Sequence, residues 1–366
     1  MPAIGDNPGH NYNKEMASPS YDALLVLSFG GPEKPDDVIP FLENVLRGRN
    51  VPRERMLEVA EHYYHFGGKS PINDQNRALI SAIEQELKNH GPQVPVYWGN
   101  RNWHPFLTDT LRKMQSDGVR RAIAFVTSVF SSYSGCRQYL EDIDKSRAEI
   151  GDGAPEIEKL RSFYNHPLFI EAETDRLRAA LDQISTERRP NAQILFTAHS
   201  VPNAMAESSD YQAQLNESCR LVSENLGVPA WRLVYQSRSG PPGQPWLGPD
   251  IGDVLREMDR GTDVIVIPIG FISDHMEVLF DLDTEARAIC EERGVNMIRA
   301  ETVGVHPQFI AMIRELVGER MGLCEARAIG KYGPSHDVCR ADCCPAPARR
   351  PNSARSDSSP RAIAQR

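Results

Sequence analysis

Residues 264–269 read Val-Ile-Val-Ile-Pro-Ile, an apolar, largely β-branched run with no charged or hydroxyl side chain in it. Such a run has no solvent face to offer. It specifies a strand covered on both sides, the situation inside a parallel sheet with helices on each face. Gly270 ends the run, and Ser273 or Asp274 is placed to cap a helix after it. On an α-helix Glu277, Asp281 and Glu285 fall at i, i+4 and i+8 and share one face. Like charges at that spacing cost roughly a few tenths of a kcal/mol per pair. A solvated acidic face is the ordinary explanation for such a row. Its position argues for another, because the row begins just past the carboxyl end of a buried strand, where open α/β sheets hold their ligands. It reads as a ladder for a divalent cation or for protons.

The rest of the chain repeats this strand-and-helix plan. Strands are expected at 22–28, 94–98, 121–127 and 156–161, then at 192–198, 232–235, 264–269 and 295–299. Helical patterns cover 35–47, 53–66, 73–90, 105–117, a stretch after 134, and 167–186. After a boundary near 188–191, one long helix runs to 226 and a last one spans 306–321. This alternation predicts an α/β chain of two Rossmann-like domains, each a four-stranded parallel sheet flanked by helices, related by a weak internal duplication. The expected domains are 21–186 and 187–322, followed by a Cys-rich segment at 323–344. Residues 1–20 and 345–366, biased toward small and polar residues and Pro, are expected to be disordered.

Composition removes several function classes. The net charge is -9, and no basic stripe is interleaved with aromatics, so nucleic acid is not an expected partner. No apolar run is long enough to span a bilayer, and the N-terminus lacks the apolar core of a secretion signal. The expected location is therefore the cytoplasm, where thiols stay reduced. There Cys324, Cys339, Cys343 and Cys344, crowded into one stretch, suggest a metal centre rather than disulfides. Zinc suits such a set as well as iron does. Cys219 and Cys290 fall inside helices and are expected as small buried residues.

His199 lies in Thr-Ala-His-Ser-Val-Pro (197–202), directly after a buried strand. An imidazole facing a carboxylate across a cleft suits Fe(II) or Zn(II) and moves protons near neutral pH. The chain has no paired-histidine helix motif to hold a metal permanently, so a transient metal site is the better reading.

Four separated motifs carry a resemblance. Thr-Ala-His-Ser-Val-Pro, Gly-Phe-Ile-Ser-Asp-His-Met-Glu-Val-Leu-Phe-Asp (270–281), Pro-Trp-Leu-Gly-Pro-Asp (245–250) and Gly-Gly-Lys-Ser-Pro-Ile (67–72) together resemble the ferrochelatases over about residues 21–320. Leu-Ser-Phe-Gly-Gly-Pro (27–32), Asn-Arg-Asn-Trp (100–103) and Ser-Ser-Tyr-Ser-Gly-Cys (131–136) look most like the actinobacterial branch, whose members act on coproporphyrin III.

The resemblance implies Fe(II) insertion into a porphyrin bound between two chelatase-type domains. It implies that His199 and Glu277 face the porphyrin centre, with His199 as the proton acceptor, and that Asp281 and Glu285 extend the metal or proton path. Phe29, Tyr63 and Trp246 become wall candidates, and Arg47, Arg49, His62, Ser70 and Tyr139 anchor candidates. Phe29 stands where relatives from low-GC Gram-positive bacteria carry an iron-ligating Tyr, so axial ligation from that side is not expected. A [2Fe–2S] cluster is implied on Cys136, Cys339, Cys343 and Cys344, with Cys324 as the replacement for one of the adjacent pair. Contact with neighbouring haem-pathway enzymes is expected to be transient and the protein monomeric. Rival readings are a protoporphyrin IX chelatase, a cobalt or nickel chelatase, and a non-enzymatic tetrapyrrole-binding protein. The segment 45–66 carries Arg47, Arg49, Arg53, Glu54 and Arg55. It is too polar for a membrane-docking lip, and that favours the four-carboxylate substrate.

Overall fold

In the computed structural model the described residues are 20–48, 51–240 and 243–346. The expectations for residues 1–19 and 347–366, and for Arg49, lie outside them. Eight strands form: β1 Ala23–Ser28, β2 Val96–Asn100, β3 Arg121–Val126, β4 Glu156–Lys159, β5 Gln193–His199, β6 Trp231–Gln236, β7 Asp263–Ile267 and β8 Asn296–Arg299. The α-helices in the first half are α1 Val38–Val45, α2 Arg53–His65, α3 Ile72–His90, α4 Leu107–Ser116, α5 Gln138–Ile150 and α6 Pro167–Leu181. In the second half they are α7 Asn203–Glu207, α8 Tyr211–Asn225, α9 Ile251–Arg256, α10 Met276–Val278, α11 Arg287–Arg293 and α12 Pro307–Arg320.

The strands make two four-stranded sheets, ordered β2-β1-β3-β4 and β6-β5-β7-β8, with every pairing parallel. The two orders are equivalent, as an internal duplication requires. β1 and β7 are buried along their whole length because helices cover both sheet faces. Each fully buried Leu, Val or Ile there contributes about 1.5–3 kcal/mol.

The halves are knitted together by an exchange of helices. α6 packs on α8 and β7 of the second half, while α12 returns to α3, α6 and β3. One aromatic core results, in which Phe309 of α12 meets Phe125 of β3 at 6.3 Å and Phe169 of α6 at 6.4 Å. The carboxyl ends of both sheets are thereby held toward a common cleft.

Local departures have local causes. The long helix expected to reach 226 breaks between α7 and α8, where Ser208 and Ser209 donate from their hydroxyls to the Met205 carbonyl and compete with helical bonding. α9, a short helix the periodicity did not announce, starts at Asp250, whose side chain accepts from the Gly252 N–H at 2.8 Å. Among the described residues no helix is long and apolar enough to cross a membrane.

Candidate active site

β5 ends on His199, so the imidazole stands at a carboxyl strand end by construction. Its Nδ1–H donates to the Ser200 carbonyl, which leaves Nε2 turned to Glu277 Oε1 at 3.5 Å. The Tyr211 hydroxyl fixes the same residue by donating to the His199 carbonyl at 2.9 Å. Glu277 arrives from β7 through a turn that crosses β5 at Gly270. A Cβ there would lie 2.6 Å from Ala198 Cα, so only glycine allows the crossing.

The acidic row is not on the α-helix that its spacing implied. α10 lasts for Met276–Val278 and opens into a π-helical segment, Leu279–Ala286. The cap is also different: His275, and not Ser273 or Asp274, accepts from the Glu277 N–H through Nδ1 at 3.2 Å. A π-turn is wider than an α-turn and is found mostly at functional sites. The row nevertheless stays together, since Asp281 feels the charges of both Glu277 and Glu285.

Electrostatics separates the members of the row. Burial disfavours charge on His199, but the facing Glu277 outweighs it and lifts the imidazole to about 9. Burial also opposes charge on Glu277, and His199 overcomes it and holds the carboxylate down at about 2. The pair is therefore imidazolium and carboxylate at neutral pH. Burial raises Asp281 to about 7, against a hydrogen bond donated by Ser237. Ser237 itself sits in the left-handed region at φ 63, a strained conformation for a side-chain-bearing residue. Glu285 is exposed, and its carboxyl is raised by desolvation and by Asp250. Gln236 Nε2 anchors the segment by donating to the Glu277 carbonyl at 2.6 Å. A divalent cation meeting this pair would displace the His199 proton, and the Asp281 carboxyl, poised near neutrality, could take up such protons.

The wall and anchor candidates divide. Phe29 remains 37% exposed at the rim, edge-on to Phe41 at 6.2 Å, and Tyr63 packs on the same ring at 5.7 Å. Burial and the Glu277 charge both raise the Tyr63 phenol, which ties this wall to the His199 and Glu277 pair. Trp246 is half-buried, and its indole N–H has no partner among the described residues. His62 stacks on Phe280 at 3.7 Å with rings 11° apart, so it closes across the cleft onto the π-segment. Ser70 is buried, accepting from the Ile72 N–H at 3.4 Å while its own hydroxyl proton stays available. Two anchors need correction. Tyr139 packs in the core, with the Arg101 guanidinium 4.5 Å over its ring, because it faces inward on α5. Arg47 is exposed and spends its guanidinium on Asn44 of its own helix. Arg101, within the Asn-Arg-Asn-Trp motif, is a nearby cation that sequence reading passed over; it is ion-paired with Asp142 at 2.5 Å and its side chain is only 7% exposed. It reaches toward Phe29 at 6.0 Å.

The cysteines converge as a second site. Cys136 Sγ lies 3.9 Å from Cys339 Sγ, and Cys343 Sγ 3.8 Å from Cys344 Sγ. Hydrogen bonds from Cys339 and Cys344 pull the Cys136 thiol below its ordinary range. Cys344 adopts φ 50, another side-chain-bearing residue in the left-handed region. Arg137 pins the segment, donating to the Cys343 carbonyl at 2.8 and 3.0 Å and to the Ala341 carbonyl at 3.1 Å. Cys324 does not take part: it is exposed at the end of α12, against the Glu315 carbonyl. His336 does, with Nε2 3.5 Å from Cys343 Sγ; sequence reading missed it, and the His336-x-x-Cys339 spacing is the signal that could have found it. Cys219 and Cys290 are buried, as expected. Among the described residues the ligand atoms of His336, Cys339 and Cys343 lie within 4.8 Å of one another, a set able to hold a metal ion.

Comparison with known proteins agrees with this construction. The ferrochelatase family model matches residues 21–321. A ferrochelatase of Rhodopirellula baltica is 57% identical over 337 residues, covering 91% of this chain and 96% of its own. The coproporphyrin III ferrochelatase of Streptomyces coelicolor is 50% identical over 367 residues, covering 93% of this chain and 98% of its own. That of Nocardia farcinica is 49% identical, covering 91% and 99%. Among solved structures, SirB from Bacillus subtilis with Fe3+ superposes with a TM-score of 0.52 at 11% identity, covering 82% of this chain and 96% of its own. That likeness concerns the fold alone. With the match spanning both sheets, the cleft and the motif that carries His199 and Glu277, the chain belongs to the ferrochelatase family.

Proposed function

We propose that this chain inserts Fe(II) into coproporphyrin III, releasing two protons and giving coprohaem. The observation that carries the reading is the pair itself: His199 at the end of β5, its Nε2 3.5 Å from Oε1 of Glu277 on α10. Glu277, held ionised, attracts the dication, and the approaching charge expels the His199 proton. The freed Nε2 then takes a pyrrole proton, and Asp281 and Glu285 pass protons outward or hydrated metal inward. Phe29, Tyr63 and Trp246 give the macrocycle its apolar walls, with His62 and Ser70 at its edges. Phe29 has no oxygen to ligate the product iron, which leaves that axial position open.

Coproporphyrin III is favoured over protoporphyrin IX by the names of the Streptomyces coelicolor and Nocardia farcinica relatives. The exposed Arg47, Arg53, Glu54 and Arg55 support the same choice, since so polar a segment does not suit a membrane-docking lip. Anaerobic Fe(II) insertion assayed in parallel with both porphyrins tests it. Faster turnover with protoporphyrin IX would overturn the substrate assignment. Co(II) and Ni(II) as competing metals, in the same assay, address metal choice.

Cys136, Cys339, Cys343 and Cys344 would hold the [2Fe–2S] cluster, which when bound supplies one-electron chemistry and a covalent tie. The four residues attach the end of the chain to the start of α5, with Arg137 and the Cys344 backbone already set for it. Stoichiometric zinc on the same set, with His336 as a donor, is the competing occupant. Iron, sulfide and zinc analysis of anaerobically purified protein separates the two.

A further inference from the structure

The first turns of α3 serve the cleft more than the helix. Asn73 Nδ2 donates to the Gly31 carbonyl at 3.0 Å and Asn76 Nδ2 to the Ser28 hydroxyl at 2.8 Å, fixing the loop that carries Phe29. Gln75, between them, reaches the other way. Its Nε2 donates to the Asp274 carbonyl at 2.9 Å and its Oε1 accepts from the Asp274 N–H at 2.8 Å. A primary amide that matches one residue's N–H and C=O together fixes that backbone in both height and rotation. The Asp274 side chain is gripped as well, by Arg299 Nη1 at 3.0 Å, and Arg299 Nε holds Asp283 of the π-segment at 2.7 Å. Asp274 is one residue before His275 and three before Glu277.

We propose that Gln75 is a positioning residue for metal entry: from the first half of the chain it sets the loop 271–276, and through it the place of Glu277 against His199. One short helical stretch thus gauges both walls of the cleft, Phe29 on one side and Glu277 on the other. The proposal rests on His199 and Glu277 being the metal-facing pair. Its consequence is specific. Loosening the clamp should blur the carboxylate position and weaken metal binding, while porphyrin contacts on the walls are kept.

The test uses the full chain with its Cys-rich site filled beforehand and Zn(II) as probe, so that only the additional zinc is read, followed by the KM values for Zn(II) and for coproporphyrin III. Gln75→Met preserves volume and removes both hydrogen bonds; about a tenfold loss of Zn(II) affinity is expected, as two modest hydrogen bonds imply. Porphyrin KM should stay within about twofold. Gln75→Glu keeps the bond from the Asp274 N–H, serves as the second variant should Gln75→Met fail to fold, and should fall between, at about threefold. Zn(II) affinity unchanged in both variants overturns the proposal. So does an equal loss for metal and porphyrin that tracks the melting temperature, because that is what plain adhesion between the halves would give. Glu277→Gln is the control for the underlying assignment. If it binds Zn(II) as wild type does, the metal-facing pair is wrong and the proposal falls with it; if it loses Zn(II) while the Gln75 variants keep it, only the clamp is rejected.

Discussion

Glu277→Gln isolates what the carboxylate does to its partner. In the wild type His199 titrates at about 9, above its ordinary 6.5, and the charge responsible is Glu277 acting against burial. At pH 7 the imidazole is thus some two pH units below its midpoint, a proton held by about 2.7 kcal/mol. Solvent reaches the pair, since the side chains are 31% and 47% exposed, and screening reduces that figure to about 1–2 kcal/mol. The sign survives the reduction: the wild-type imidazole is charged at pH 7. With Gln at 277 the attraction of the carboxylate is gone while burial still opposes charge, so the His199 imidazole falls well below its wild-type value and is largely neutral at pH 7. With the Cys-rich site filled beforehand, Zn(II) binding to the wild type should then release about one proton, and to the variant close to none. Calorimetric titration at pH 7 in two buffers of different ionisation enthalpy counts those protons directly, and the histidine resonance followed by NMR gives the pKa itself. Equal proton release from the two proteins, or a wild-type His199 titrating below 7, would refute the ion-pair account.

Other outcomes follow from the same geometry. Cys136→Ser should lose the visible absorption and bound metal of the terminal site, while Cys324→Ser, remote from the other thiols, should keep both; loss in the second variant would move the ligand set. Phe29→Tyr should give bound ferric product a phenolate charge-transfer band, and an unchanged spectrum with product bound would mean residue 29 does not reach the iron. Glu173, 1% exposed, is raised from 4.5 to about 8 by burial. The folded state therefore holds a proton that the unfolded chain releases, so its contribution is complete below about pH 4.5 and is lost as pH rises through 8, a few kcal/mol in order of magnitude. Glu173→Gln should thus gain in melting temperature over wild type between pH 5 and pH 8.5, and a pH-independent difference would contradict this. Gly270→Ala, which forces a Cβ to 2.6 Å from Ala198 Cα, should cost at least about 2 kcal/mol in denaturant melts and also depress insertion activity. Near-wild-type values would show that the crossing can relax.

Much of the molecule is written in local pattern. Apolar runs one strand long, separated by helical periodicity, determined eight strands and their parallel pairing, because a strand without a polar face has few places to go. The positions of His199 at a strand end and of Glu277 beyond another were legible for the same reason, and the crowding of cysteines after residue 323 announced a metal centre. What the sequence alone could not decide depends on partners distant along the chain. The width of the turn under Glu277, Asp281 and Glu285 is set by a π-helical segment held through Gln236 at the end of β6 and Ser237 just after it, contacts no helical spacing contains. Tyr139, suggested as an anchor, instead carries the Arg101 guanidinium on its ring, a pairing that only packing supplies. Cys324 and Cys136 are told apart by where α12 ends, and α12 itself crosses to the opposite sheet to close the aromatic core. Local sequence fixes which residues prefer strand, helix or strand end, since those preferences act over a few residues. The protonation of His199, the reach of Gln75 to Asp274 and the meeting of four thiols depend on distances between segments brought together by burial, and so only the tertiary structure decides them.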